Sequence, residues 1–212
     1  MKKPLPRSIT TRGPSQATLD LIDIFTPFVT FEDVPAHNHL YYCVKGINMC
    51  YILRSGLVQV RRDADAFVIS SVLMPNIFGI SDMPDYTDLY LETLSDSKIA
   101  ILTTEHAHRL IKQNNAWEQL AGHVTKVTTM LFNNSVIISA PKNFDVLRFH
   151  LMSLMLEPAD LRETTSAAKY IMERTRLSRS TVMKMLSQLK QGRYIEMEQG
   201  MLKNIHHLPE KY

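Results

Sequence analysis

Between Arg174 and Arg193 the chain carries six basic residues (Arg174, Arg176, Arg179, Lys184, Lys190 and Arg193) and no acidic one. Inside that run Val182, Met185, Leu186 and Leu189 keep the spacing of a helix with one apolar face. Such a helix must dock on a core, and the face left over is positive or neutral throughout, fit to meet something anionic. Ser178 is a good N-cap for it and Gly192 a stop. A shorter helix, Ala167–Thr175 with Ala168, Ile171 and Met172 inward, precedes it across an Arg176-Leu177 turn. After it, Tyr194–Met197 and Leu202–Ile205 flank Glu198–Met201, where Gly200 permits a tight turn. Helix, turn, helix and hairpin in this order outline a winged helix-turn-helix and point to duplex DNA.

A helix in the major groove reads bases with its N-terminal turns, and arginine on guanine is the commonest specific contact. On the wheel set by Val182 and Leu186, positions 180, 183, 184 and 187 point outward, and Arg179 sits in the first turn. Arg179, Ser180 and Lys184 are therefore expected at base edges, with Met183 offering an apolar contact to a thymine methyl. Arg174, Arg176, Lys190, Arg193 and Lys203 are expected on phosphates, where they position the helix without reading sequence.

The rest of the chain has a different character. Residues 20–141 carry a net charge of −5 and residues 142–212 a net of +4, which suggests two domains with different partners. Residues 1–16, rich in proline and hydroxyl side chains, read as a flexible arm. A helical stretch over 17–30, with Leu19, Ile22 and Phe25 or Thr26 inward, stops at Pro27. Six β-like runs follow: Leu40–Val44, Asn48–Arg54, Leu57–Arg61, Phe67–Leu73, Tyr90–Leu94 and Lys98–Leu102. Short strands at that spacing predict an antiparallel roll or sandwich. Thr103-Thr104-Glu105 opens a helix by a capping signal and runs through His108, Leu110 and Ile111. Trp117, Leu120, Val124, Val127, Leu131, Asn134 and Ile138 then recur at alternating steps of three and four, a heptad seam with one polar position. That spacing fits a dimer helix or an amphipathic helix docked on its own domain. Asn143 is expected to cap a helix over Phe144–Leu156, with Val146, Leu147, Leu151, Leu154 and Met155 inward and Pro158 beyond its end.

The run L-S-R-S-T-V-M-K-M-L-S-Q-L-K-Q-G-R-Y-I resembles the recognition helix of the CRP/FNR superfamily of bacterial regulators. The R-T-R-L-S-R-S and G-R-Y-I-E-M stretches, N-I-F-G at 76–79 and the L-P-E-K-Y tail are most similar to the enterobacterial winged-helix regulators called inhibitors of hydrogen peroxide resistance. The resemblance implies an α+β chain with a cyclic-nucleotide-binding-like β-roll, a long dimerisation helix and a C-terminal winged helix-turn-helix. The domains would be an arm at 1–16, a degenerate effector roll at 17–115, a dimer helix at 116–140 and a DNA-binding domain at 141–212. It further implies a homodimer on a near-palindromic site. Members that bind cyclic AMP have F-G-E ahead of an arginine pair, whereas here Phe78-Gly79 is followed by Ile80. The loop to residue 90 holds Asp82, Asp85 and Asp88 and no arginine. Three aspartates would repel a phosphate, so control by cyclic AMP is not expected. Ser180 and Lys184 stand where many relatives carry glutamate and arginine, so the preferred DNA sequence should differ.

Other chemistries find little support. His37-x-His39 and His106-x-His108 have strand-type ligand spacing but no third cluster in register, so no metal is expected. Cys43 and Cys50 are too few for a disulfide framework or an iron–sulfur cluster, and inert buried thiols are the expectation. No nucleophile motif, P-loop or dinucleotide fingerprint is present, so neither an enzyme nor a bound cofactor is expected. No window of 18 apolar residues exists, and the basic start lacks an apolar stretch behind it. A cytoplasmic stress-response transcription regulator that partners duplex DNA and a second copy, away from membranes, is the expected function. A regulator whose winged helix binds another protein is the alternative, and a small-molecule effector in the roll stays open.

Overall fold

The structure is a computed structural model that describes residues 13–72, 74–81, 88–140 and 142–209, leaving out the side chain of Ile138. The expectations for residues 1–12, Leu73, Asp82, Asp85 and the last three residues fall outside these. The chain divides into two compact units that meet inside one helix, between Leu131 and Phe132.

In the N-terminal unit, Ser15 caps α1 (Gln16–Phe25), accepting from the Thr18 amide at 3.2 Å. The helix buries Leu21, Ile22 and Phe25, while Leu19 is only half-buried. It ends at Phe25, just ahead of Pro27, the expected stop, which lies in a single 3-10 turn over Thr26–Phe28. The strands follow: β1 (Glu32–Val34), β2 (His39–Tyr41), β3 (Cys43–Val44), β4 (Ile47–Ser55), β5 (Val58–Arg62), β6 (Val68–Val72), β7 (Asn76–Phe78), β8 (Leu89–Thr93) and β9 (Ser97–Thr103). They form two antiparallel sheets, one in the order β1-β9-β4-β3 with β7 beside β4, the other in the order β2-β8-β5-β6.

The run expected as one strand over Leu40–Val44 breaks at Tyr42, whose side chain turns into the core, and its halves join different sheets. Strands β1 and β7 have no counterpart among the sequence expectations. On β4 successive residues serve two cores. Tyr51 and Leu53 pack between the sheets, whereas Cys50 and Ile52 pack against the helices. A strand buried on both faces reads as continuous apolar sequence instead of alternating. Lys45 and Gly46, both at positive φ, make the two-residue turn from β3 to β4.

Thr103 caps α2 (Thr104–Gln113) as expected, accepting from the His106 amide at 3.1 Å. The long α3 (Trp117–Ile138) has the bounds of the heptad seam. At its start α1 lies so close that a Cβ on Gly122 would strike Ala17. Next to it Thr18 Oγ1 and His123 Nδ1 share a buried hydrogen bond of 3.0 Å. Burial lowers the His123 imidazole to about 4.

The C-terminal unit takes up α4 (Asn143–Met155), α5 (Ala159–Thr164), α6 (Ala167–Met172), α7 (Arg179–Gln191) and the hairpin β10 (Ile195–Glu198) with β11 (Met201–Ile205). Asn143 is not the cap of α4 but its first residue; Lys142 holds the cap position, with no side-chain bond. The one-and-a-half-turn α5 is an addition to the expected outline. One core, including Phe144, Leu147, Leu151 and Leu154 of α4, holds all but α5 together with Tyr170, Ile171, Ile195 and Leu202.

Candidate nucleic-acid interface

The first helix of the motif, α6, is capped by Ser166, which accepts from the Lys169 amide at 3.3 Å. The Ala167 amide donates to Gly200 O at 2.9 Å, tying the hairpin turn to the helix. Helix α6 ends at Met172, three residues short of expectation. Its last turn is closed by the Arg174 amide on Ile171 O at 3.1 Å, and Leu177 N–H then donates to Thr175 Oγ1 at 3.3 Å. Ser178 caps α7 as expected, with the Thr181 amide at 3.2 Å from its Oγ.

Helix α7 buries Val182, Met185, Leu186 and Leu189. Arg179, Ser180, Met183, Lys184, Ser187, Gln188 and Gln191 are exposed. The four residues expected to read bases thus share the solvent side of one helix, and no carboxylate occurs along it. Ser180 is less independent than its neighbours, because its Oγ is 3.0 Å from Ser178 Oγ, which also lies 2.8 Å from Thr181 Oγ1. Arg176, Lys190, Arg193 and Lys203 are exposed around this helix and the hairpin.

Arg174 is a correction. Its side chain is 6% exposed, with the guanidinium 3.6 Å from the centroid of the Tyr170 ring and Nη1 donating to Tyr170 O at 3.2 Å. A buried guanidinium stacked on an aromatic face is part of the core, not a phosphate contact. Tyr170 in turn donates its hydroxyl to Glu157 Oε1 at 2.5 Å. The Tyr170–Arg174 spacing of one helical turn could have signalled this stack.

Gly192 closes α7 with an ordinary negative φ, and it is Arg193 that takes the left-handed conformation, at φ 56°. Gly192 is needed for another reason: a Cβ there would run into the Tyr194 ring. Gln199 and Gly200, both at positive φ, form the turn between β10 and β11. Across the hairpin His206 Nε2 lies 2.8 Å from Glu196 Oε1, both exposed, a pair that the sequence expectations passed over. It becomes visible only once the register is known.

Helix α3 leaves most of its seam uncovered in the single chain. Trp117 and Leu131 are each 51% exposed, Val124 and Val127 are also exposed, and Leu120 and Asn134 are half-buried. Leu120 packs partly on the core beside α1 and α2. The side chain of Ile138, the last seam position, lies outside the described residues.

In the roll, Gly79 at φ 72° brings its backbone against the Met49 carbonyl, where no Cβ would fit. Thr104 Oγ1 donates to Gly79 O at 2.7 Å and His108 Nε2 lies 2.6 Å from Ile80 O. His39 packs on the Tyr90 ring at 4.4 Å. Among the described residues no group of three or more His, Cys, Asp or Glu is placed to hold a metal ion. Burial pushes the Cys50 thiol up to about 12, while Cys43 is half-buried. Among the described residues no helix is long and apolar enough to cross a membrane.

A β-roll, a long helix and a C-terminal helix-turn-helix with a β-hairpin wing together define the fold of the CRP/FNR regulators. Residues 143–210 match the family model described as winged helix-turn-helix DNA binding. The chain is similar to CLP, a c-di-GMP-responsive global regulator of Xanthomonas campestris, with a TM-score of 0.69 over 90% of this chain and 100% of that one at 14% identity. It is also similar to a CRP-family transcriptional regulator of Thermus thermophilus, with a TM-score of 0.59 over 82% and 91% at 16% identity. Among curated proteins it is 28% identical, over 76% of this chain and 79% of the relative, to the inhibitor of hydrogen peroxide resistance of Salmonella typhimurium.

Proposed function

We propose that this chain is a homodimeric, cytoplasmic transcription regulator that binds duplex DNA through α7. The observation that carries the reading is the division of α7 into one fully buried apolar side and one exposed side holding Arg179, Ser180, Met183 and Lys184 without a carboxylate. Arg179 and Lys184 read base edges in the major groove, Met183 meets a thymine methyl, and Ser180 orders the first turn alongside the cap. Arg176, Lys190, Arg193 and Lys203 hold phosphates.

The exposed seam on α3 is the dimer contact, and two copies set two recognition helices on a near-palindromic site. The chain is then organised as an arm ahead of α1, a roll to 115, the dimer helix to 140 and the DNA-binding domain beyond. Cyclic AMP does not control it, since the loop after Gly79 has no arginine and includes Asp82, Asp85 and Asp88. The name of the Salmonella relative supports assigning the regulated genes to an oxidant stress response.

Selection from random duplex DNA by the purified protein tests the reading. An enriched palindrome whose affinity falls steeply with salt is the expected result. Absence of enrichment, with salt-independent capture of a protein partner instead, would replace DNA by protein as the ligand of the winged helix.

A further inference from the structure

Helix α6 runs for less than two turns, too short to stand by itself in water, and its last carbonyls have no partner within the helix. Between Met172 and Arg179 the chain must close α6, turn and launch α7. Whatever fixes residues 173–178 therefore fixes the direction of the reading helix.

Three buried side chains hold this corner, Glu157, Tyr170 and Arg174. The Tyr170 hydroxyl donates to Glu157 Oε1 at 2.5 Å, and the Arg174 guanidinium lies 3.6 Å from the centroid of the same ring. Arg174 also reaches back, Nη1 donating to Tyr170 O at 3.2 Å, so a carbonyl in the last turn of α6 gains a partner. Glu157 stands between the end of α4 and the start of α5, its amide on Leu154 O at 3.1 Å. The stack thereby ties the end of α4 to the bend between α6 and α7. Thr175, next to Arg174, is itself buried and accepts from the Leu177 amide at 3.3 Å.

Stability does not explain this choice of residues. Taking a carboxylate and a guanidinium out of water is costly, and well-packed apolar side chains of similar volume do as well or better. What an apolar set lacks is direction. A planar guanidinium that stacks on a ring and donates from a rigid fork admits one arrangement, which the flexible point charge of a lysine does not reproduce.

Resting on the DNA reading above, we infer that Arg174 is a positioning residue for recognition. Through Tyr170 and Glu157 it sets the angle at which α7 leaves α6, and so the register of Arg179 and Lys184 on base edges. It touches neither base nor phosphate. Its effect falls on discrimination between sequences and spares the electrostatic attraction that all duplexes share.

The test is fluorescence anisotropy of the full chain with two labelled duplexes of equal length, the site enriched by selection and a random sequence, over a salt series. Discrimination is the ratio of the two Kd values. A merely structural role lowers the folded fraction and leaves this ratio untouched, because both duplexes draw on the same folded pool. Arg174→Lys should lower discrimination about tenfold, the loss of one base contact, with the random-duplex Kd within about twofold of the wild type. Arg174→Met should do the same and keep the salt slope on the random duplex, whereas loss of a phosphate contact would lower that slope by about one. Tyr170→Phe keeps the stack and drops the tether to Glu157, and should lower discrimination about threefold; it decides alone should the Arg174 variants not fold. Undiminished discrimination in Arg174→Lys or in Tyr170→Phe overturns the inference, as does a salt slope reduced by about one in Arg174→Met, and each leaves DNA binding standing. A wild type that does not discriminate between the duplexes overturns the DNA reading, and the inference with it.

Discussion

Truncating Leu131 to alanine measures what the α3 seam contributes to assembly. Leu131 is 51% exposed in the single chain, so about half of its side chain is available for a partner to cover. Full burial of a leucine side chain stabilises by about 1.5–3 kcal/mol, and the uncovered half amounts to about 1 kcal/mol per copy. In a two-fold interface the same residue enters from both sides. Leu131→Ala should therefore weaken the dimer by about 2 kcal/mol, or roughly thirtyfold in Kd. Sedimentation equilibrium over a dilution series reads the constant directly, and Trp117, the one tryptophan, gives an optical signal at the start of the seam. Val136→Ala is the control: it is 45% exposed but sits about 140° round the helix from Leu131. Its dimer constant should stay within about twofold of the wild type on this geometry. Equal weakening by both substitutions, or by neither, would show that the heptad positions are not the contact.

On the selected DNA site, Arg179→Ala should cost about 1–3 kcal/mol and relax specificity, whereas Lys190→Ala should lower the salt slope by about one with little change in sequence preference. Intact site-specific binding by an Arg179→Ala, Lys184→Ala double variant would refute α7 as the reader. Tyr170→Phe removes the buried hydroxyl that donates to Glu157 and should destabilise the protein by about 1–3 kcal/mol in urea unfolding; an unchanged midpoint would argue against that bond. His123 has its folded pKa depressed to about 4 by burial, below the ordinary value of about 6.5. The unfolded chain then binds a proton that the folded one refuses. Its contribution to stability is intact above about pH 6.5 and is lost as pH falls towards 4, on the order of 3 kcal/mol. His123→Gln should flatten that loss when urea midpoints at about pH 7 and pH 4.5 are compared, and equal losses in both proteins would count against a neutral buried ring.

Helix α7 was legible because two independent signals coincide on it. Its apolar residues fall at helical spacing, and its charged residues share one sign. The long α3 was legible for the first reason alone, since its periodicity runs unbroken from Trp117 to Ile138. The parts that escaped are those created by pairing in three dimensions. Glu-Asp-Val at 32–34 has little strand propensity and becomes β1 because β9 offers it a partner. Asn76–Phe78 becomes β7 for the same reason beside β4. Tyr42 divides one apparent strand because its ring is wanted in the core. Arg174 belongs to the basic run by composition, yet the Tyr170 ring one turn back draws it inside. Charge counts do not distinguish a guanidinium that faces solvent from one laid over an aromatic ring.

The left-handed Arg193 leaves a mark on how this protein would respond to selection. An arginine at positive φ costs about 1–2 kcal/mol that a glycine would not, and its neighbour Gly192 does not relieve it, being occupied by the approach of Tyr194. A screen for thermal tolerance would be drawn to Arg193→Gly, which relaxes the backbone at the junction of reading helix and wing. If the proposed interface is right, each such survivor gives up a positive charge beside the DNA, and a hardier protein is a weaker regulator.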